Sequence, residues 1–359
     1  MDASLRRSPL DAAHATLGAK MGPFGGWSMP IEYAGALAEH RAVREAAGVF
    51  DVSHLGKVDL GGAGAFAGLQ GLLSNDLAKV AVGRAQYHLL LREDGGVAED
   101  LIVYRLADDR WFLVPNASNT ATVLDALRGA GLDPAPLEAW CLLGVQGPAS
   151  PAIVAATFPE AAELPYFGCV ETSFRGERVV LARTGYTGER GFEVACSAAA
   201  GVPLWEAFLA AGAEPCGLGA RDVLRLEMGY PLHGQDIGPD RTPFEAGLDW
   251  AVAMGKGEFV GRAALERQRA EGIPARLRAL VTDERRHIPR AHQAVLVGGR
   301  PAGEVTSGTF SPTLGAGIAL AYVAPAEAVA TGDRVEIDVR GRLAPARVVD
   351  LPFVARSPR

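Results

Sequence analysis

Residues suited to chemistry concentrate in one segment, Arg183-Thr-Gly-Tyr-Thr-Gly-Glu-Arg-Gly-Phe-Glu193, where aromatic side chains stand beside an acid in a stretch too glycine-rich for ordinary core. Gly185, Gly188 and Gly191 recur every third residue, which gives the backbone access to positive φ and lets a flat ligand approach closely. Tyr186 and Phe192 offer rings for such a ligand to pack on. Glu193 could accept two parallel N–H bonds from an amidine-like or guanidine-like edge, the pattern a pterin presents. The competing reading is a β-hairpin with a glycine-rich turn whose glutamate is solvated.

Other reactive residue types carry weaker signals. Asp100 follows Gly95-Gly96 at the opening of a strand, where an acid commonly bonds its own turn. Arg225 is bracketed by Leu224 and Leu226, so its head either pairs with a buried acid or meets a ligand. Tyr87 and Tyr186, judged as if on isolated strands, would pass for packed core aromatics. His54 and His233 lack a Ser or Cys nucleophile at a recognisable spacing. Cys141, Cys169, Cys196 and Cys216 are far apart, without a C-x-x-C pair, so no metal site is expected; reduced, buried thiols of a cytoplasmic protein are. Gly61-Gly-Ala-Gly-Ala-Phe-Ala-Gly68 fits G-x-G-x-x-A, but no acid ends a second strand some 20 residues on, so a plain strand-to-helix turn is the better reading.

The elements that must position these groups follow from periodicity. The 359 residues suggest two or three domains; 48% apolar and 21% charged content are those of an ordinary globular chain. A formal net charge of −7 without a Lys/Arg-rich stripe argues against nucleic acid, and neither a signal peptide nor an apolar run of membrane-spanning length is found. Arg285-Arg286-His287 with Arg290 reads as a solvated turn. A helix is expected over 36–47, capped by Gly48, then paired strands across 48–60 and a helix over 66–73. Strands at 86–91 and 97–106 form a hairpin around Glu93-Asp-Gly-Gly96, followed by a strand at 111–115 and a helix over 119–130. This block looks inserted, because strands resume at 141–145 and 178–182. Helices follow after Gly217 and within 256–272, and beyond Pro274 six short strands suggest an antiparallel barrel or jelly roll.

Six stretches, in order, closely resemble the T-protein family of the glycine cleavage system, tetrahydrofolate-dependent aminomethyltransferases. They are Pro23-Phe-Gly-Gly-Trp-Ser-Met-Pro30, Phe50-Asp-Val-Ser-His-Leu-Gly56, Glu99-Asp-Leu-Ile-Val-Tyr104, Arg183-Thr-Gly-Tyr-Thr-Gly-Glu189, Gly219-Ala-Arg-Asp-Val-Leu-Arg-Leu-Glu227 and Thr306-Ser-Gly-Thr-Phe-Ser-Pro312. The resemblance implies an α+β fold of three domains in a cloverleaf around a central folate channel. The first, discontinuous domain covers 1–50 plus 138–272, an inserted ferredoxin-like α+β domain with Asp100 covers 51–137, and a C-terminal β-barrel covers 273–359.

It also implies an activity: moving the methylene of an aminomethyl group on the lipoyl arm of H-protein to tetrahydrofolate, with release of ammonia. Asp100 falls at the family's catalytic aspartate, Glu193 at its pterin-holding glutamate and Arg225 at the arginine that works with it. Tyr87 and Tyr186 fall at channel tyrosines, and Arg356 would reach the folate from the third domain. A cytoplasmic monomer without metal is expected. His233 departs from the family's usual tyrosine in Pro231-Leu-His-Gly-Gln-Asp236, and Leu55 stands for a more frequent methionine. The alternatives are a folate-dependent O- or S-demethylase of the same fold and a non-catalytic folate-binding protein.

Overall fold

The computed structural model describes residues 5–358. They form two compact units, one of the described residues up to Leu90 with Glu99–Asp222 and the final residues from Ser357, the other of Leu91–Ala98 with Val223–Arg356.

The first unit is built on two main sheets. A six-stranded sheet has the spatial order Cys169–Phe174, Glu177–Ala182, Gly191–Ser197, Trp140–Gln146, Gly48–Asp51 and Glu214–Cys216. Its pairs are antiparallel except the last, which is parallel. The twofold alternation of strand side chains sorts its residues between faces. Phe192, Val194 and Cys196 enter a core with Leu143, Val145, Leu181, Trp205 and Phe208, while Glu193 points to the other side. The helix Ala198–Ala210 covers that core with Leu204, Trp205 and Phe208. Periodicity does not reveal this helix, because AAAGVPLWEAFLA is apolar nearly all round.

The second sheet has the order Arg84–Leu91, Val97–Ala107, Arg110–Val114, Val58–Gly61 and Ala135–Pro136, with helices Ala65–Leu72 and Thr120–Gly129. Along Val97–Ala107, Val97, Glu99, Leu101 and Val103 are buried on one face, whereas the other face carries Ala98, Asp100, Ile102 and Tyr104. A smaller sheet joins Arg6–Arg7, Trp27–Glu32 and Lys20–Phe24.

Two expectations need correction. The helix Ala36–Glu45 ends before Gly48, which opens a strand instead of capping the helix; a Cβ there would lie 2.5 Å from the Cys216 sulfur and 2.6 Å from Val43. The segment 48–60 does not pair with itself, since Gly48–Asp51 and Val58–Gly61 belong to different sheets. The glycine run after it behaves as expected. Val58–Gly61, which leads into Ala65–Leu72, has antiparallel neighbours on both sides, as the plain-turn reading requires.

The second unit contains a closed antiparallel barrel, ordered Arg276–Thr282, Ala316–Val323, Arg300–Ser311, Ala294–Val297, Arg334–Val339 and Arg342–Val349, the last pairing back to the first. Leu280, Val305, Val335 and Ile337 fill it together with Ala319, Ala321 and Ala346, small residues that suit the narrow interior of a six-stranded barrel. All six strands expected from the sequence are present.

In the first unit the buried Asp51 is well supplied with partners. Asp51 accepts from Ser8 Oγ at 2.5 Å, the Ser53 backbone N–H at 2.9 Å and Ser53 Oγ at 2.5 Å, and lies 2.9 Å from His14 Nε2; the Tyr33 hydroxyl is 2.9 Å from His14 Nδ1. Burial by itself would raise the Asp51 carboxyl, but His14 and the two serines together hold it below the usual range. Its stabilising contribution is therefore present above the ordinary carboxylate value and lost as pH falls through the lower folded value. Asp51→Leu should cost about 3–5 kcal/mol at neutral pH, because buried donors lose their acceptor. Urea denaturation measures this, and a loss below about 1 kcal/mol would show the network to be dispensable.

Candidate active site

Asp100 lies half-buried on the outward face of Val97–Ala107, with both oxygens engaged. The Tyr87 hydroxyl donates to Oδ2 at 2.9 Å and the Asn116 side-chain amide to Oδ1 at 2.9 Å. Two donors on one carboxyl favour its ionised form and fix its rotamer. The turn-bonding alternative is not what the structure shows. Tyr87 is pushed well above the usual tyrosine value, by burial first and then by Asp100, with a further contribution from Tyr186. Tyr87, Asp100 and Tyr186 thus interact in one neighbourhood. The Tyr186 ring also carries the Arg221 guanidinium at 4.7 Å from its centroid, a cation–π arrangement.

Glu193 sits on the strand Gly191–Ser197 between cross-strand neighbours Gly144 and Ala182, which are too small to cover its carboxylate. Thr184 Oγ1 donates to its Oε2 at 2.5 Å and the Tyr104 hydroxyl reaches the same atom at 3.3 Å. Its Oε1 accepts no hydrogen bond from the described residues, which leaves an acceptor for a ligand N–H. Tyr104 lies four residues beyond Asp100 on the same face of one strand, so the two Cα atoms are about 13 Å apart at ~3.3 Å per residue.

The glycine-rich segment is a hairpin connection between Glu177–Ala182 and Gly191–Ser197, and its glycines answer different needs from those expected. Only Gly188 has positive φ, at 76°. A Cβ on Gly185 or Gly191 would come within 2.1 or 2.3 Å of the Gln146 side chain, so those two make room for protein. Gln146 in turn accepts from Thr187 Oγ1 at 2.9 Å and donates to the carbonyls of Thr184 and Phe192 at 3.2 and 3.3 Å. The loop is further pinned by Arg44, which donates to the Thr187 carbonyl at 2.7 Å and to Glu189 at 3.0 Å, with both side chains buried. Phe192, expected to face a ligand, is in the core.

His54, set aside as a base on spacing alone, is pushed down to about 3 by burial first and then by Arg221, so it is neutral at physiological pH. Residues that sequence reasoning did not single out here are Glu99, Tyr104, Asn116 and Thr184. The one available signal was the Glu99-Asp100 pair itself, since adjacent strand residues face opposite ways and one of the two acids had to face the core.

Arg225 and Arg356 belong to the second unit. The Arg225 guanidinium, 1% exposed, donates to Asp236 Oδ2 at 2.7 Å, Ser307 Oγ at 2.9 Å and the Tyr230 carbonyl at 3.1 Å. Asp236 also accepts from the Leu232 N–H and from Thr306 Oγ1. Of the two sequence possibilities, the buried acid partner is present. Arg356 is exposed, two residues after Val354, which packs with Leu226 and Ile318. His233 Nε2 lies 3.1 Å from the Val97 carbonyl. Arg225→Met should lower unfolding free energy by about 3–5 kcal/mol, since Asp236 is left buried without its cation. Urea titration monitored by tryptophan fluorescence reads this, and an unchanged midpoint would rule out the structural role.

Comparison with known proteins places this arrangement. Residues 10–256 match the family profile described as the GCVT N-terminal domain, and residues 276–355 match the glycine cleavage T-protein C-terminal barrel domain. An aminomethyltransferase of Frankia alni is 51% identical over 370 residues, covering 99% of this chain and 100% of the relative. One of Mycobacterium tuberculosis is 46% identical over 370 residues, covering 99% and 98%. The crystal structure of glycine cleavage system aminomethyltransferase T from Bartonella henselae superposes with a TM-score of 0.93 at 36% identity, covering 99% of both chains. With both parts of the family matched in order along nearly the whole chain, this protein belongs to the glycine cleavage T-protein family of aminomethyltransferases.

Proposed function

We propose that this chain transfers the one-carbon unit of an aminomethyl group, carried on the lipoyl arm of an H-protein, to tetrahydrofolate, releasing ammonia and leaving the lipoyl arm as its reduced dithiol. The observation that carries the reading is the Asp100 carboxylate, held at one oxygen by Tyr87 and at the other by Asn116. Full-length relatives that share 46–51% of its residues bear the name aminomethyltransferase.

The residues of the first unit fit a reduced pterin. Glu193 offers an unengaged acceptor oxygen, flanked by small residues that leave space above the sheet, and Tyr186 supplies an aromatic wall. Tetrahydrofolate, when bound, supplies the nucleophilic nitrogen that receives the carbon. Asp100 supplies a fixed negative charge where the aminomethyl group becomes cationic as its bond to sulfur weakens. Such preorganised charges are typically worth ~3–4 kcal/mol of barrier. Its two hydrogen bonds mean that little reorganisation is needed at that moment. Acceptance of a proton from the cofactor nitrogen is a second task open to the same oxygen atoms.

Arg225 and Arg356 are carried as proposed cofactor contacts from the family resemblance, Arg225 with its charge already balanced by Asp236. The three-domain division at 1–50 plus 138–272, 51–137 and 273–359 is proposed on the same ground. Four free, buried cysteines suit a reducing compartment, and we place the protein in the cytoplasm as a monomer. No described helix is long and apolar enough to cross a membrane.

Purified protein given tetrahydrofolate and aminomethyl-loaded H-protein should form methylene-tetrahydrofolate and ammonia, whereas free methyl donors should give nothing; the reverse pattern would favour a demethylase. Asp100→Asn should cut kcat at least about tenfold, about 1.4 kcal/mol of barrier, while folate affinity changes much less. Equal losses in turnover and affinity would remove Asp100 from the chemical step.

A further inference from the structure

Glu99 stands back to back with Asp100 and is completely buried, at 0% exposure, on the core face of Val97–Ala107. Its Oε1 accepts from the backbone N–H of Asn116 and, at 3.0 Å, from that residue's side-chain amide; its Oε2 accepts from the Asn119 amide at 2.5 Å. Every one of these partners is a neutral amide. No cation pairs with Glu99 among the described residues.

The same Asn116 amide that touches Glu99 also donates to Asp100 Oδ1 at 2.9 Å and lies 3.1 Å from the Asp100 carbonyl. Two neighbouring carboxyls joined by one amide share their titration, and their surroundings differ enough to decide which one carries a proton. Asp100 has partial access to solvent and a phenolic donor besides the amide. Glu99 has neither solvent nor a positive partner, and a carboxylate in that position is disfavoured both by burial and by a like charge one residue away.

We infer that Glu99 holds the one proton of this pair on Oε2, with the Asn119 amide turned so that its oxygen faces and accepts it, and that it acts through Asn116 as a positioning residue, keeping the single negative charge on Asp100. The inference rests on the role proposed for Asp100 and adds what sets that residue's charge. Burial first, and then the Asp100 charge, push the Glu99 carboxyl up to about 8, against the lowering effect of the amides. The titratable groups that act on it are Asp100 on its own strand and Tyr87 on the neighbouring strand, while the turn Ala117–Asn119 and Asn116 add neutral amides. Once Glu99 ionises, it competes for the Asn116 amide and places a second negative charge beside the first. Asp100 then becomes more basic and loses its fixed orientation.

The test is Glu99→Gln, which keeps size and polarity without the titration. In the wild type, kcat should fall as pH rises through about 8; in the variant that limb should vanish, with neutral-pH kcat retained within about threefold and the folate KM unchanged. Persistence of the limb in the variant would overturn the inference, as would a uniform loss at all pH values, which is the mark of a merely structural residue.

Two further readings need no substrate. Infrared spectra of wild-type protein with isotope-labelled glutamate should show the C=O stretch of a protonated carboxyl at neutral pH that disappears through about 8. Because the folded value lies above the ordinary 4.5, Glu99 favours folding fully below that value and progressively less up to about 8, so wild-type Tm should fall relative to the variant across that window. Absence of the protonated band refutes the inference even if the variant does not fold. Failure to make methylene-tetrahydrofolate, with the band present, would refute the aminomethyl-transfer reading and leave the proton on Glu99.

Discussion

The strand Val97–Ala107 must satisfy two environments at once, and the candidate chemistry depends on how it does so. Its inward face carries Val97, Leu101 and Val103 into the core, with Glu99 among them, while its outward face presents Asp100 and Tyr104. Strand alternation thus splits two adjacent acids into one shut off from water and one partly open to it. Asn116 then ties them together again by bonding both carboxyls. A slip of one residue in register would exchange the two acids, so the core residues on either side of Glu99 define which of them is buried.

Fixed geometry around Glu193 is achieved differently. Glu193 is oriented by Thr184 and Tyr104, and the loop that precedes it is held by Gln146 and by the buried Arg44–Glu189 pair. Glycine at 185 and 191 is what permits Gln146 to lie there. A side chain held on a pinned loop loses little conformational entropy if it binds a partner.

Buried charge recurs as an organising device in each unit. His14–Asp51 and Arg44–Glu189 anchor the first, Arg225–Asp236 the second. Asp51 and Asp236 also accept from neighbouring hydroxyl and backbone N–H groups, which satisfy the oxygen lone pairs their main partners leave open. Arg225 illustrates how one side chain ties several segments together: its guanidinium meets an acid, a hydroxyl and a carbonyl at once.

Local pattern alone determined much of this protein. The hairpin around Glu93-Asp-Gly-Gly96, the helix after the Gly61–Gly68 run and six barrel strands were all legible, because alternation and turn residues act over a few positions. The carboxylates at 100 and 193 were legible as candidates for the same reason, helped by ordered motifs along the chain. Tertiary structure decided the rest. The helix Ala198–Ala210 has no polar face to betray it, and Gly48 looks like a cap until the distant Cys216 is seen packed against it. Whether Arg225 met an acid, whether Gly185 faced a ligand or Gln146, and which neighbour bonded each carboxyl were likewise undecided by spacing. Each depends on contacts made outside the segment itself, and periodicity within a segment carries no information about what packs against it.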